Sequence, residues 1–212
     1  MKIHDISPVL SPRTAVFPGD TPLQREVALH FDRGHNLTLS AIRSTVHIGA
    51  HCDAPSHYHP DGASIDQRDL SRYLGPAQVV RVDLPRGSRI RPEHLGTAII
   101  APRILLQTLS FPDPDVWNGD FVALSPELVD FLAAQGVVLV GIDTPSVDPA
   151  EDKDLASHNA IFRNDLAILE GIDLRGVAPG LYTLIALPLR LEDADASPVR
   201  AVLLPAGALA PD

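Results

Sequence analysis

Apolar and polar residues alternate in short blocks along most of the chain, and Pro, Gly and Asp separate the blocks. Runs rich in Val, Ile and Leu predict strands over Gln78–Leu84, Ala98–Leu106 (interrupted by Pro102), Phe121–Leu124, Val137–Ile142, Leu181–Leu187 and Val199–Leu204. Helical spacing is clearest over Ser125–Gln135, where Leu128, Val129, Phe131, Leu132 and Ala133 share one face. Ser125 stands at its N-cap, Pro126 at the first helical position and Gly136 at its close. Asp152–Phe162 reads as a second, more polar helix, and Ile65–Leu74 as a third. The first 45 residues read as extended segments and turns, with Pro8, Pro12, Pro18 and Pro22 spaced along an arm suited to docking. Helix, glycine, strand and polar loop follow one another from Ser125 to Pro145, which is an α/β unit. The pattern predicts one α/β domain over residues 1–212 with a mixed β-sheet. It does not contain the strand order.

Composition narrows the class. A chain of 212 residues is long enough for one self-sufficient core. Seventeen basic against 27 acidic side chains give a formal charge of −10, which argues against nucleic acid or an anionic membrane as partner. No apolar run reaches the roughly 18 residues of a membrane span, and no secretory signal is visible at the start. The single cysteine, Cys52, precludes a disulfide within the chain and suits a reducing compartment, so a cytoplasmic location is expected. The sequence has nine histidines, and six of them fall between His30 and His59.

That crowding resolves into a pattern over His47–His59. His47, His51, Asp53, His57 and His59 are all odd-numbered, so in an extended segment they share one face, while Ile48, Ala50, Cys52 and Ala54 share the other. Gly49 and Pro55 oppose a helix through the stretch. A straight strand also fails, because the six steps from residue 47 to 53 span about 20 Å. Donors to one ion must each lie about 2 Å from it. The chain must bend, and Gly49 is the residue that permits it. Imidazole, imidazole and carboxylate suit a divalent ion such as zinc or manganese. Spacing alone leaves hydrogen-bonded histidines as an equal alternative. Read by themselves, His158 is a surface position on a polar helix and Glu170 a solvated strand end. Cys52 reads as a small buried thiol.

The run His47-Ile-Gly-Ala-His51-Cys-Asp53-Ala-Pro-Ser-His57-Tyr58 resembles the His-x-Gly-x-His-x-Asp-Ala-Pro-x-His signature of the metal-dependent cyclase/hydrolase family. Asp5–Pro8, Val16–Pro22, Gly141–Ser146, Ile168–Gly171 and Ala186–Leu189 are similar to its recurring blocks, and the Val-Phe-Pro-Gly-Asp block resembles the family's bacterial arylformamidases. The resemblance implies a swivelling β/β/α domain, usually a homodimer whose N-terminal arm helps close the neighbouring site. It implies two divalent metal ions, both Zn2+ with Mn2+ as the alternative: His47, His51 and Asp53 would hold one, with Asp53 bridging to another completed by His158 and Glu170, and Glu170 in reach of both. It also implies that His57 moves the proton and that Phe17 lines the substrate pocket. The implied reaction is hydrolysis of N-formyl-L-kynurenine to L-kynurenine and formate. The other readings are a lactam hydrolase of the isatin-opening type and a non-catalytic metal-binding dimeric scaffold.

Overall fold

In the computed structural model, residues 2–209 are described. The strands in chain order are β1 (His4–Asp5), β2 (Gln24–Leu29), β3 (Leu39–Arg43), β4 (His51–Asp53), β5 (Leu74–Arg81), β6 (Arg89–Ile90) and β7 (Arg103–Gln107). They continue with β8 (Ala123–Leu124), β9 (Leu139–Ile142), β10 (Ala167–Leu169), β11 (Gly180–Ile185), β12 (Ala196–Pro198) and β13 (Val202–Pro205). The two helices are α1 (Pro126–Ala134) and α2 (Ala156–Arg163).

Seven strands form one sheet in the order β1-β13-β11-β5-β7-β9-β10. The half containing β5, β7, β9 and β10 is parallel, and the other half is antiparallel. The sheet is mixed, as the block pattern predicts. Burial on both faces explains the nearly continuous apolar runs of its central strands. On one face Ala77, Val79, Leu105, Leu139 and Leu184 pack with Ala50, Cys52 and Ala54 of the β4 segment. On the other, Val80, Ile104, Leu106, Val140 and Ile142 pack with Leu128, Val129 and Leu132 of α1 and with Ala160 and Ile161 of α2. Three layers result: the small β4–β12 pair, the large sheet, and the helices.

Several expected boundaries shift. The helix expected over Ile65–Leu74 is two short 3-10 turns, Ile65–Gln67 and Leu70–Tyr73, and Leu74 already belongs to β5. Asp69 caps the second turn by accepting from the Ser71 N–H, a local bond that competes with a continuous helix. The expected strand Ala98–Leu106 shrinks to Arg103–Gln107, because its pairing with β5 and β9 begins only after Pro102. The polar helix starts at Ala156 rather than Asp152. The N-terminal arm contains a feature that its pattern does not reveal, the β2–β3 hairpin, most of whose residues are exposed. Among the described residues no helix is long and apolar enough to cross a membrane.

Candidate metal centre

The bend required between His47 and Asp53 is present at Gly49, whose φ of +56° is a left-handed conformation. A second glycine, Gly171 (φ +62°), lets the 170–171 backbone lie against it, since a Cβ at Gly171 would stand 2.1 Å from the Gly49 carbonyl oxygen. Beyond the bend, β4 pairs with β12 and forms an isolated antiparallel bridge from His51 to Glu170. This packing turns Cys52 inward, fully buried, and leaves His51 and Asp53 on the opposite side, as the parity of the segment predicts.

His47, His51, Asp53, His158 and Glu170 converge. His47 Nδ1 lies 2.9 Å and His51 Nε2 3.4 Å from Asp53 Oδ1. His158 Nε2 is 3.5 Å from Asp53 Oδ2 and 3.9 Å from Glu170 Oε1, and His51 Nε2 is 3.2 Å from Glu170 Oε2. Two sets of potential ligand atoms share Asp53: His47, His51 and Asp53, and Asp53, His158 and Glu170. His158 is 3% and Glu170 2% exposed, so neither is the solvated position that its local sequence suggests. The cause is tertiary: α2 packs its His158 face inward, and the bridge to His51 draws Glu170 under the sheet edge.

The outer nitrogen of each of the three histidines is occupied. His51 Nδ1 lies 2.8 Å from the Gly49 carbonyl, His158 Nδ1 2.8 Å from Asp148 Oδ2, and His47 Nε2 2.9 Å from Asp195 Oδ2. With a metal bound, an N–H at each outer position would leave the inner nitrogen's lone pair free to face the ion beside Asp53 and Glu170. The Asp53 carboxylate is buried, yet among the described residues neither of its oxygens has a hydrogen-bond partner. Several imidazole nitrogens near it without a donated hydrogen bond are what a donor set converging on a cation requires. The residues present therefore fit a divalent metal centre.

Charge follows the same geometry. Burial opposes a charge on His47, but Asp53 and Asp195 outweigh it and raise its pKa to about 9. Burial likewise opposes a charge on His158, yet Asp148 and Asp53 raise its pKa to about 10. Burial pushes Asp53 upward, but His158, His47 and His51 hold it well below the usual carboxylate range. His57 differs, since burial lowers its pKa and the pull of Asp53 does not compensate. Burial also raises the Cys52 thiol, which keeps it protonated and inert.

His57 sits on a short turn that follows Pro55, with its ring centroid 4.1 Å from that of His47 and 6.2 Å from that of His158. His59 lies farther out, stacked on Phe162 at 3.7 Å. The five converging residues and His57 border a cavity of about 620 Å³ whose lining also includes Phe17, Leu109, Phe111 and Leu174. Phe17 is steadied edge-on by Trp117 at 4.8 Å. Sequence reasoning missed Asp148 and Asp195, which hold the outer nitrogens of His158 and His47. Asp148 carries no local signature, and Asp195 lies 148 residues from its partner.

A family model described as "Putative cyclase" matches residues 4–149. The chain belongs to the cyclase family. Solved structures share its fold throughout. A potential metal-dependent hydrolase with cyclase activity is 24% identical over 95% of this chain and 96% of its own, with a TM-score of 0.81. A predicted metal-dependent hydrolase from Bacillus stearothermophilus is 23% identical over 95% and 97%, with a TM-score of 0.79. Isatin hydrolase A from Labrenzia aggregata, bound to benzyl benzoate, is 22% identical over 95% and 93%, with a TM-score of 0.80. At these identities the likeness to this cyclase-family chain is one of fold.

Proposed function

We propose that this protein is a metal-dependent amide hydrolase that cleaves N-formyl-L-kynurenine to L-kynurenine and formate. The observation that carries the hydrolase reading is the convergence of three inward-facing imidazole nitrogens on the hydrogen-bond-free Asp53 carboxylate, beside His57. His47, His51 and Asp53 would hold one divalent ion, and Asp53, His158 and Glu170 a second, with Zn2+ preferred and Mn2+ compatible with the same donors. Bound there, such ions supply a water nucleophile at neutral pH and polarise a carbonyl oxygen.

The remaining work belongs to the chain. His57, neutral near pH 7, takes the proton of the attacking water and returns it to the aniline nitrogen as the C–N bond breaks. Water and formanilide become formate, arylamine and one proton released to solvent, and the imidazole is restored. Phe17 and Phe111 offer apolar faces to an aromatic ring inside the cavity. The Val16–Asp20 block favours the linear formamide. The lactam-opening alternative draws on the fold shared with isatin hydrolase.

The same reading includes a homodimer. The β2–β3 hairpin exposes Leu39 and Ile42, and a two-stranded hairpin is marginal in water without a surface to pack on.

The deciding experiment offers N-formyl-L-kynurenine and isatin to the zinc- and manganese-loaded protein and to its His57→Ala variant, with metal content measured in parallel. Formate release by the wild type is expected to drop about 10²–10⁴-fold in the variant with metal retained. Isatin opening without formate release would replace the substrate assignment. Absence of bound metal from the wild type would end the mechanism.

A further inference from the structure

Asp148 lies in the loop after β9 and its side chain is fully buried. Every hydrogen bond to its carboxylate comes from a backbone amide, an arginine or a histidine. Its oxygens accept from the Ser157 N–H at 3.0 Å and the His158 N–H at 3.0 Å, two of the free amides in the first turn of α2. Leu155, the N-cap of α2, contributes no capping bond, so Asp148 fills that role from a distant loop. One further acceptance comes from Arg89 Nη1 at 2.8 Å, and the last from His158 Nδ1 at 2.8 Å.

Arg89 is itself held. It donates to the Leu124 carbonyl at 2.7 Å and the Ser157 hydroxyl at 3.1 Å, and it pairs with Asp152. The preceding residue completes the arrangement, because the Val147 N–H donates to Glu170 Oε1 at 2.7 Å. The dipeptide Val147-Asp148 therefore grips both His158 and Glu170, the two residues that join Asp53 in the second donor set. Nothing equivalent links it to His47 or His51, which are held by Asp195 and Gly49.

We infer that Asp148, clamped by Arg89, is a positioning residue for the second metal site: it holds His158 with Nδ1 as donor and Nε2 free toward Asp53 and Glu170. This rests on the two-metal reading above and adds that the two sites have separate supports. A carboxylate on the far nitrogen of a metal-binding histidine fixes the ring and raises its basicity, and its loss costs about 10–100-fold in affinity.

The test is competitive titration of Zn2+ against a chelator in the metal-stripped wild type, Asp148→Asn and Arg89→Met, together with thermal melts of the stripped proteins. The wild type is expected to bind two equivalents. Asp148→Asn is expected to retain one tight equivalent and to bind the second about 10–100-fold more weakly. Should Asp148→Asn fail to fold, Arg89→Met keeps the carboxylate and removes its clamp along with the Arg89 contacts to Leu124, Ser157 and Asp152, and the same one-site weakening is expected of it. Two unchanged affinities would overturn the inference, as would equal weakening of both sites. A wild type that binds no zinc would instead overturn the two-metal reading beneath it. Long-range 1H–15N spectra of the zinc-loaded wild type give a second readout: His158 is expected as the Nδ1–H tautomer, and the Nε2–H form would overturn the assignment.

Discussion

His51 and Glu170 meet twice. Their backbones exchange two hydrogen bonds, the His51 N–H to the Glu170 carbonyl at 3.1 Å and the Glu170 N–H to the His51 carbonyl at 2.9 Å. Their side chains then approach to 3.2 Å on the side facing the cavity. Residues 119 positions apart are thereby held in register by the main chain before any metal is considered.

That register depends on Gly171. An added methyl there would strike the Gly49 carbonyl and also force an unfavourable positive φ. Gly171→Ala is expected to lower the melting temperature sharply and to reduce zinc content. Gly176→Ala, with φ +74° and open space around it, isolates the backbone cost of about 1–2 kcal/mol. Equal melting temperatures for the two variants would show that the close approach does not matter.

The metal-stripped and metal-loaded proteins are expected to respond to pH in opposite directions. With folded-state pKa values of about 9 and about 10, His47 and His158 are protonated at pH 7 without metal. Metal must displace those protons, so zinc affinity rises with pH over roughly pH 6 to 8. Both values are raised above 6.5, so the stabilisation from these ion pairs is complete below that pH and is lost as pH climbs through 9 to 10. Calorimetric zinc titrations in buffers of different ionisation enthalpy would count the released protons, and zero release would refute the protonation states. Thermal melts of the stripped protein should show a falling midpoint over the higher range.

Asp143 shapes the cavity rather than the donor set. Burial raises its pKa despite the hydrogen bonds it accepts from the Thr108 and Leu109 N–H groups and the Thr108 hydroxyl. Those bonds hold Leu109 at φ +55°, and the turn carries Leu109, Phe111 and Pro112 into the cavity wall. Asp143→Ala leaves these donors unpaired at about 1–3 kcal/mol each. It is expected to lower the unfolding free energy by a few kcal/mol and to raise KM several-fold with zinc content unchanged. An unchanged KM would remove the turn from substrate recognition.

The exposed hairpin gives the dimer its test. Ile42→Asp is expected to shift the protein from dimer to monomer in light scattering, since Ile42 is 74% exposed and would be buried only by a partner. A wild type that runs as a monomer at micromolar concentration would end that reading.

The cluster from His47 to His57 is legible in the sequence because a strand's period of two and one glycine bend are local properties. The parity of the segment assigns Cys52 to the core and His51 and Asp53 to the opposite side, and the structure keeps that assignment. Helix α1 is legible for the same reason: its cap, its first-turn proline and its closing glycine all lie within one short stretch. His158 and Glu170 are legible only through resemblance to a family, since their own neighbourhoods read as surface.

What the sequence by itself determined is the chemistry available: an α/β chain with odd-numbered donors beside a hinge. What only the tertiary structure decided is which donors meet and which nitrogen each presents. The sheet order places β10 beside β9, the bridge to β4 carries Glu170 to His51, and Asp148, Asp195 and the Gly49 carbonyl orient the rings. The physical reason is range. Periodicity and caps act over one or two turns of chain, whereas these contacts are made across up to 148 residues by the packing of a sheet buried on both faces.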